Sequence, residues 1–274
     1  MSDWPLYSGS RHTTYGAATA ASSGTQIAYT VANTKSGWNQ VTASTAHDAH
    51  EIWLYAYGET SACDMLVDIG VGGAGSEQVV LPNLVITSRD TTAAMPSAIK
   101  MPCFIPAGSR IAIRFQNSVG VSTMRYVLTI VQLGGLWPPT FQRITAYGTN
   151  AADSGSVSVD PGASANTKGS YSEIEDATAN PIRLLWIAFG LQSNTARTDY
   201  TWLVDIAIGG AGSEQIIIPD IWIAISASRD TVVQQFIGPF EVSIPEGTRL
   251  AVRMQCSGND AADRLLDVAL YGAD

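Results

Sequence analysis

From Arg110 to Gln116 the chain alternates strictly: Ile111, Ile113 and Phe115 fall on one side, Arg110, Arg114 and Gln116 on the other. Such a period of two marks a half-buried β-strand, whose side chains point to opposite faces in turn. Further on, the pattern returns as Arg249-Leu250-Ala251-Val252-Arg253-Met254-Gln255. Similar runs occur at Gln26–Val31, Ile52–Tyr57, Met65–Val71, Gln78–Thr87, Ala98–Ile105 and Arg125–Leu133. With a segment near Trp38–Thr42 they predict about eight strands in each half of the chain. Turn residues separate the runs, at Gly58, Gly72-Gly73-Ala74-Gly75, Pro106-Ala107-Gly108 and Ser118-Val119-Gly120. Helix signals are nearly absent. Short strands at this spacing predict an antiparallel β-sandwich, and eight of them favour a jelly roll over an immunoglobulin-like layout.

The recurrence belongs to a duplication of the whole chain. Leu66-Val67-Asp68-Ile69 and Gly72-Gly73-Ala74-Gly75-Ser76-Glu77-Gln78 return at Leu203 and Gly209, an offset of 137 in 274 residues. Ala32-Asn33-Thr34-Lys35 parallels Ala165-Asn166-Thr167-Lys168, and Leu81-Pro82-Asn83-Leu84 parallels Ile218-Pro219-Asp220-Ile221. Arg11 through Gly16 parallels Arg143 through Gly148. The offset drifts between blocks, as insertions in loops would cause. The seam is Gly134-Gly135-Leu136-Trp137-Pro138-Pro139, whose prolines favour extended backbone. Two tandem all-β domains are expected, 1–135 and 136–274, held in a fairly fixed relation. What both copies keep should serve the fold. What differs is where a single-copy function would sit.

Composition narrows the classes. Hydrophobic residues make up 46% and charged residues 14%, which excludes disorder for most of the chain. A net charge of −9 without basic clustering argues against nucleic acid. The start, Met1-Ser2-Asp3-Trp4-Pro5, lacks the basic and apolar regions of an export signal, and no apolar run reaches membrane-spanning length. Cys63, Cys103 and Cys256 face Tyr200, Val242 and Asn117 in the opposite copy. An odd, unshared set predicts buried free thiols and not a disulfide framework or zinc site.

Candidate chemistry is sparse. Gly70-Val71-Gly72-Gly73-Ala74-Gly75 matches the dinucleotide fingerprint, but a strand-like run follows it and Ala207 replaces the first glycine in the second copy. Without a helix start to meet the pyrophosphate, the segment reads as a β-turn. His47-Asp48-Ala49-His50-Glu51 could serve metal or acid–base chemistry; the second copy has Asn180-Pro181-Ile182-Arg183-Leu184 there, and the bland reading is a solvated loop entering a strand. Nucleophile-elbow, P-loop and EF-hand patterns are missing. Asp153, Asp160, Glu173, Glu175 and Asp176 leave a glycan-cleaving carboxylate pair open, though loop solvation accounts for them more simply. No cofactor or metal is expected. The polar set shared by both copies is more telling: Asp68 and Asp205, Arg110 and Arg249, Arg114 and Arg253, Gln116 and Gln255, with Arg125 set against Arg264. An acid held among arginines on a sheet face predicts a structural charge ladder. The Arg89-Asp90-Thr91 and Arg229-Asp230-Thr231 loops read as turn-stabilising pairs or as repeated partner contacts.

Val67 through Pro82, with Ile105-Pro106-Ala107-Gly108-Ser109-Arg110-Ile111-Ala112-Ile113-Arg114 downstream, resembles segments in virion structural proteins of tailed bacteriophages and phage-like gene transfer agents. These are decoration, head-fibre or tail-fibre types. The resemblance implies a non-enzymatic virion component, assembled in the host cytoplasm as a homo-oligomer among other capsid or tail proteins. It would decorate and stabilise the particle or attach it to a host-surface glycan. Aromatic rings that could meet a glycan or partner are Trp202 and Trp222, opposite Met65 and Val85 of the first copy, and Trp38 and Tyr171. Two other readings stand beside this one: a lectin-like carbohydrate-binding module, and a glycan-degrading enzyme using acids of the second half.

Overall fold

The computed structural model describes residues 11–58, 63–88, 98–132, 143–190, 200–224, 236–261 and 263–274. In the first half the strands are β1 (Arg11–Tyr15), β2 (Ala17–Ala18), β3 (Ser23–Tyr29), β4 (Asn39–Thr42) and β5 (Ala49–Gly58). They continue with β6 (Cys63–Val71), β7 (Gln78–Ser88), β8 (Ile99–Ile105), β9 (Ile111–Asn117) and β10 (Ser122–Gln132). The second half repeats the series as β11 (Ile144–Tyr147), β12 (Thr149–Asn150), β13 (Gly155–Val159), β14 (Ser172–Glu175) and β15 (Ile182–Gly190). It closes with β16 (Thr201–Ile208), β17 (Gln215–Ala224), β18 (Phe236–Ile244), β19 (Leu250–Cys256) and β20 (Leu266–Ala273). Among the described residues the only helical feature is a 3-10 turn at Thr19–Ala21.

In the first half, β3-β10-β5-β8 form one sheet and β4-β9-β6-β7 the other; the second half repeats this as β13-β20-β15-β18 and β14-β19-β16-β17. Every pairing among the described residues is antiparallel, apart from an isolated parallel bridge between Ala32 and Asn117. Counting eight strands from β3, one sheet takes the first, eighth, third and sixth, and the other takes the remainder. That order is a jelly roll. The molecule is therefore all-β, two tandem sandwiches of one topology. Two strands per half exceed the expected eight. β1 and β3 occupy successive stretches of one edge of β10, and β2 pairs β3. Arg11-His12-Thr13-Thr14-Tyr15 is polar and largely exposed, so no apolar alternation announced β1.

Between β6 and β7 the glycine segment makes a tight turn. Gly72 and Gly75 hold φ of +126° and +83°, and Gly209 and Gly212 of +106° and +81°, in the left-handed region that side chains resist. Farther along β7, Leu81 pairs Ile69 and Leu84 pairs Val67, so Pro82 and Asn83 together oppose Asp68. This is a β-bulge. Pro82 has no amide hydrogen to pair, and Asn83 takes φ of +48°. The second half repeats it, with Pro219 and Asp220 (φ +50°) opposite Asp205.

The halves meet asymmetrically. β5 alternates between buried and half-exposed residues, whereas β15 and β20 are buried on both faces apart from Arg183. Outer-face residues Leu184, Trp186, Ala188, Ala269, Tyr271 and Ala273 of the second half merge with the core of the first. What covers them is β7. The Tyr271 hydroxyl donates to the Asn83 carbonyl at 2.6 Å and accepts the Val85 amide at 2.9 Å. Thr87 lies over Gly190, where an added Cβ would stand 2.6 Å from its hydroxyl. Gln116 Nε2 donates to the Ala151 carbonyl at 2.8 Å and to Ser154 Oγ at 3.0 Å, and Ser154 Oγ donates to Asn33 Oδ1 at 2.8 Å. The seam expected at Gly134–Pro139 lies outside the described residues, as do the 89–91 and 229–231 loops.

Candidate functional site

The shared polar set organises around the bulge. Asp68, 3% exposed, receives Lys35 Nζ at 2.8 Å and the Asn83 amide at 2.8 Å on Oδ1, and Arg114 Nε at 2.8 Å on Oδ2. Asp205 repeats this with Lys168 at 2.7 Å, the Asp220 amide at 3.0 Å and Arg253 at 2.9 Å. Burial pushes the Asp205 carboxyl up, but the hydrogen bonds from Lys168, Asp220 and Arg253 outweigh it and hold the group below its ordinary value. The Lys35 ammonium is held below its usual range by burial, against the pull of Asp68. A carboxylate with both oxygens engaged, one of them closing a bulge, is scaffold. Sequence reasoning missed the lysine in each cluster, although both lysines lie in a repeated block.

Arginine and aromatic side chains close these clusters. The Arg114 guanidinium lies 4.4 Å over the Trp38 ring and that of Arg253 4.8 Å over Tyr171. Trp38 also covers Gly70, where a Cβ would stand 2.7 Å from the indole; in the second half the smaller Tyr171 accompanies Ala207. Trp38 and Tyr171 are thus half-buried lids on ion pairs, each already stacked on an arginine. Arg110 ties the glycine turn to Glu77 at 2.7 Å and to Gln40 at 3.1 Å; Arg249 does so through Glu214 at 3.1 Å and reaches Glu173 at 2.6 Å. Gln116 faces the other half. One correction concerns Arg125: it pairs Tyr57 on β5, while Asp267 pairs the equivalent Gly190, so Asp267 and not Arg264 is its counterpart. Arg264 instead grips Asp160 at 2.7 and 3.0 Å.

The two tryptophans of the second half part company. Trp202 is 1% exposed, packed in the core with Nε1 donating to the Arg264 carbonyl at 2.8 Å, so it offers no surface ring. Its position on the inward face of β16 decides that. Trp222, one strand over on β17, is 63% exposed. An open cleft that the sequence did not single out lies on the outer face of the first half. It measures about 580 Å³ and is lined by Tyr55, Tyr57, Arg125 and Val127, with Ala17, Ala18 and Ser22–Gly24 along one wall. Arg125 is held there by Ser23 Oγ and the Gly24 carbonyl, each at 3.2 Å. On the same face Lys100 lies 4.2 Å over Trp53, and His12 is 5.2 Å from that ring. The signal was present as disagreement between copies: Tyr55, Tyr57 and Arg125 stand where the second half has Ala188, Gly190 and Asp267.

Elsewhere the candidate chemistry disperses, except that Glu175 keeps Asp176 beside it; burial, and then Asp176, raise the Glu175 carboxyl above its ordinary value. β5 begins at Ala49; His47 Nε2 meets Arg11 at 2.8 Å, Asp48 accepts the Ala107 amide at 2.7 Å, and Glu51 accepts Trp53 Nε1 at 2.6 Å. Asp153 accepts the Gly155 amide at 2.9 Å. Among the described residues no three His, Cys, Asp or Glu side chains converge as metal ligands would. All three cysteines are buried free thiols, and burial pushes that of Cys103 up to about 12.

No family model matches the sequence, and no curated protein matches it. Solved structures similar to it include PNGF-II, at 8% identity over 90% of this chain and 65% of that one, with a TM-score of 0.37. Others are the CBM22-1-CBM22-2 tandem domain from Paenibacillus barcinonensis Xyn10C (10% identity, 97% and 91% covered, TM-score 0.26) and infectious bursal disease virus, Gt strain (11%, 96% and 42%, TM-score 0.28). The chain spans about two thirds of the PNGF-II chain and under half of the viral one. The fold rests on the strand order of this chain, not on these likenesses.

Proposed function

We propose that this chain is a non-enzymatic structural component of a virion of the tailed-bacteriophage type, exposed on the head or tail, where it decorates the particle or attaches it to the host. One observation carries the reading. The charged side chains kept by both copies are built into bulges, turns and strand ladders, while the copies differ on their outer sheet faces. A duplicated unit that keeps its frame and varies its surfaces suits assembly better than catalysis. The resemblance of Val67–Pro82 to virion proteins points the same way. Its partners would be other capsid or tail proteins. Mass spectrometry of purified particles should find the chain in stoichiometric amount; particles without it would sink the proposal.

A lectin-like reading has one observation of its own, the tyrosine-lined cleft beside Arg125, since aromatic rings stack on sugars and arginine donates to their hydroxyls. Glycan-array binding that Tyr57→Ala abolishes would favour it, and a blank array would remove it.

A further inference from the structure

The junction inside the chain uses one outer face from each half; the second half's other face exposes Trp222, and the first half's other face is open at the cleft of Tyr55, Tyr57, Arg125 and Val127. The first half inserts Asn83, Val85 and Thr87 of β7, and the second half receives them on Trp186, Gly190 and Tyr271. The duplicated register locates the unused counterparts. Val85 pairs Leu66 and Trp222 pairs Leu203, so Asp220, Trp222 and Ala224 form the second half's version of the inserting strand. Trp53 pairs Thr129 as Trp186 pairs Tyr271, so Trp53, Tyr57 and Thr129 belong to the first half's version of the receiving face. Val85 is 2% exposed and Tyr271 fully buried, but Trp222 is 63% exposed and Tyr57 lines an open cleft.

We propose that the two open faces join between chains: β17 of one copy docks on the β5–β10 face of the next, repeating the internal junction, so that copies associate head to tail. The side chains change as such a contact requires. Where the inserting strand grows from Val85 to Trp222, the receiving position shrinks from Tyr271 to Thr129, which is 8% exposed beside Trp53, so the indole would meet the Trp53 ring. Where it shrinks from Thr87 to Ala224, the receiving position grows from Gly190 to Tyr57. Close packing needs this exchange of volume across an interface. Charge agrees. Residues 1–135 hold seven basic and eight acidic residues, while 136–274 hold eight and sixteen. The receiving face carries Lys100 and Arg125 while the second half holds the larger acidic excess, so two second halves repel. Such a contact is heterologous, closing into a ring or running on as a filament.

A chain found in particles but monomeric in solution would sink this contact and spare the virion reading. The test is sedimentation of the full chain over a range of concentrations. The wild type should form species larger than one chain. Trp222→Arg and Val127→Arg should each weaken association at least about tenfold while thermal unfolding stays put, with Tyr57→Ala replacing Val127→Arg if the latter misfolds. Mixing the two variants restores one intact inserting strand and one intact receiving face, and should yield a dimer and nothing larger. A monomeric wild type, variants that assemble like it, or a mixture that stays monomeric would each overturn the proposal. So would glycan binding at the cleft that these variants abolish without changing mass.

Discussion

Asp68 shows how a single residue earns its retention. It closes a bulge, neutralises Lys35 and anchors Arg114, and Asp205 does the same. Asp68→Ala would leave the cation pair and the Asn83 amide without their acceptor, and should lower stability by about 3 kcal/mol, read from the urea midpoint. Acid should act through Asp205. Because the Asp205 carboxyl titrates below its unfolded value of about 3.9, its contribution is full above that pH and fades as pH falls through the lower native value. Urea midpoints between pH 5 and pH 2, roughly the carboxylate range, should decline, and Asp205→Asn should flatten the slope. Trp38 and Gly70 make a second matched pair. Gly70→Ala should cost about 1–3 kcal/mol through overpacking against the indole. Combined with Trp38→Tyr, which recreates the second half's Tyr171 and Ala207, it should cost less than the sum of the two single changes.

Elements carry the next layer of information. The glycine turn between β6 and β7 needs left-handed backbone, and Gly75 has open space around its missing Cβ. Gly75→Ala should therefore isolate backbone strain and cost about 1–2 kcal/mol, measured by thermal unfolding. β5 and β15 descend from one strand but differ in environment. Ile182-Arg183-Leu184-Leu185-Trp186-Ile187-Ala188-Phe189-Gly190 is nearly continuous in apolar and small residues, as a strand buried on both faces must be, while β5 interleaves Trp53, Tyr55 and Tyr57 at half-exposed positions. That contrast was legible in the sequence. Its meaning was not, because a continuous apolar run says that something covers the strand without saying what.

At the scale of the whole molecule the junction makes the two sandwiches one body. Tyr271 is buried there, and burial drives its hydroxyl above the ordinary tyrosine range, so it remains a neutral donor to Asn83. Tyr271→Phe leaves the Asn83 carbonyl and Val85 amide without this partner and should cost about 1–3 kcal/mol. The wild type should unfold in one calorimetric transition. Gly190→Val, which drives a side chain into Thr87, should split that transition in two by parting the halves.

The sequence by itself determined the eight sandwich strands of each half, the duplication, the sandwich and the acids and arginines at the heart of the shared polar set, though not their lysines. Each of these is local: alternation reports a face, glycine reports a turn, and a repeat reports its own copy. Only the tertiary structure decided what each charged group holds, since Lys35 and Asp68 are 33 residues apart. It also decided that Trp202 is core while Trp222 is surface. Both depend on strand pairings closed across the chain, and a residue's own neighbours carry no record of them. The unequal fates of the two outer faces arise one level higher still, where one half uses the other as its solvent-excluding layer.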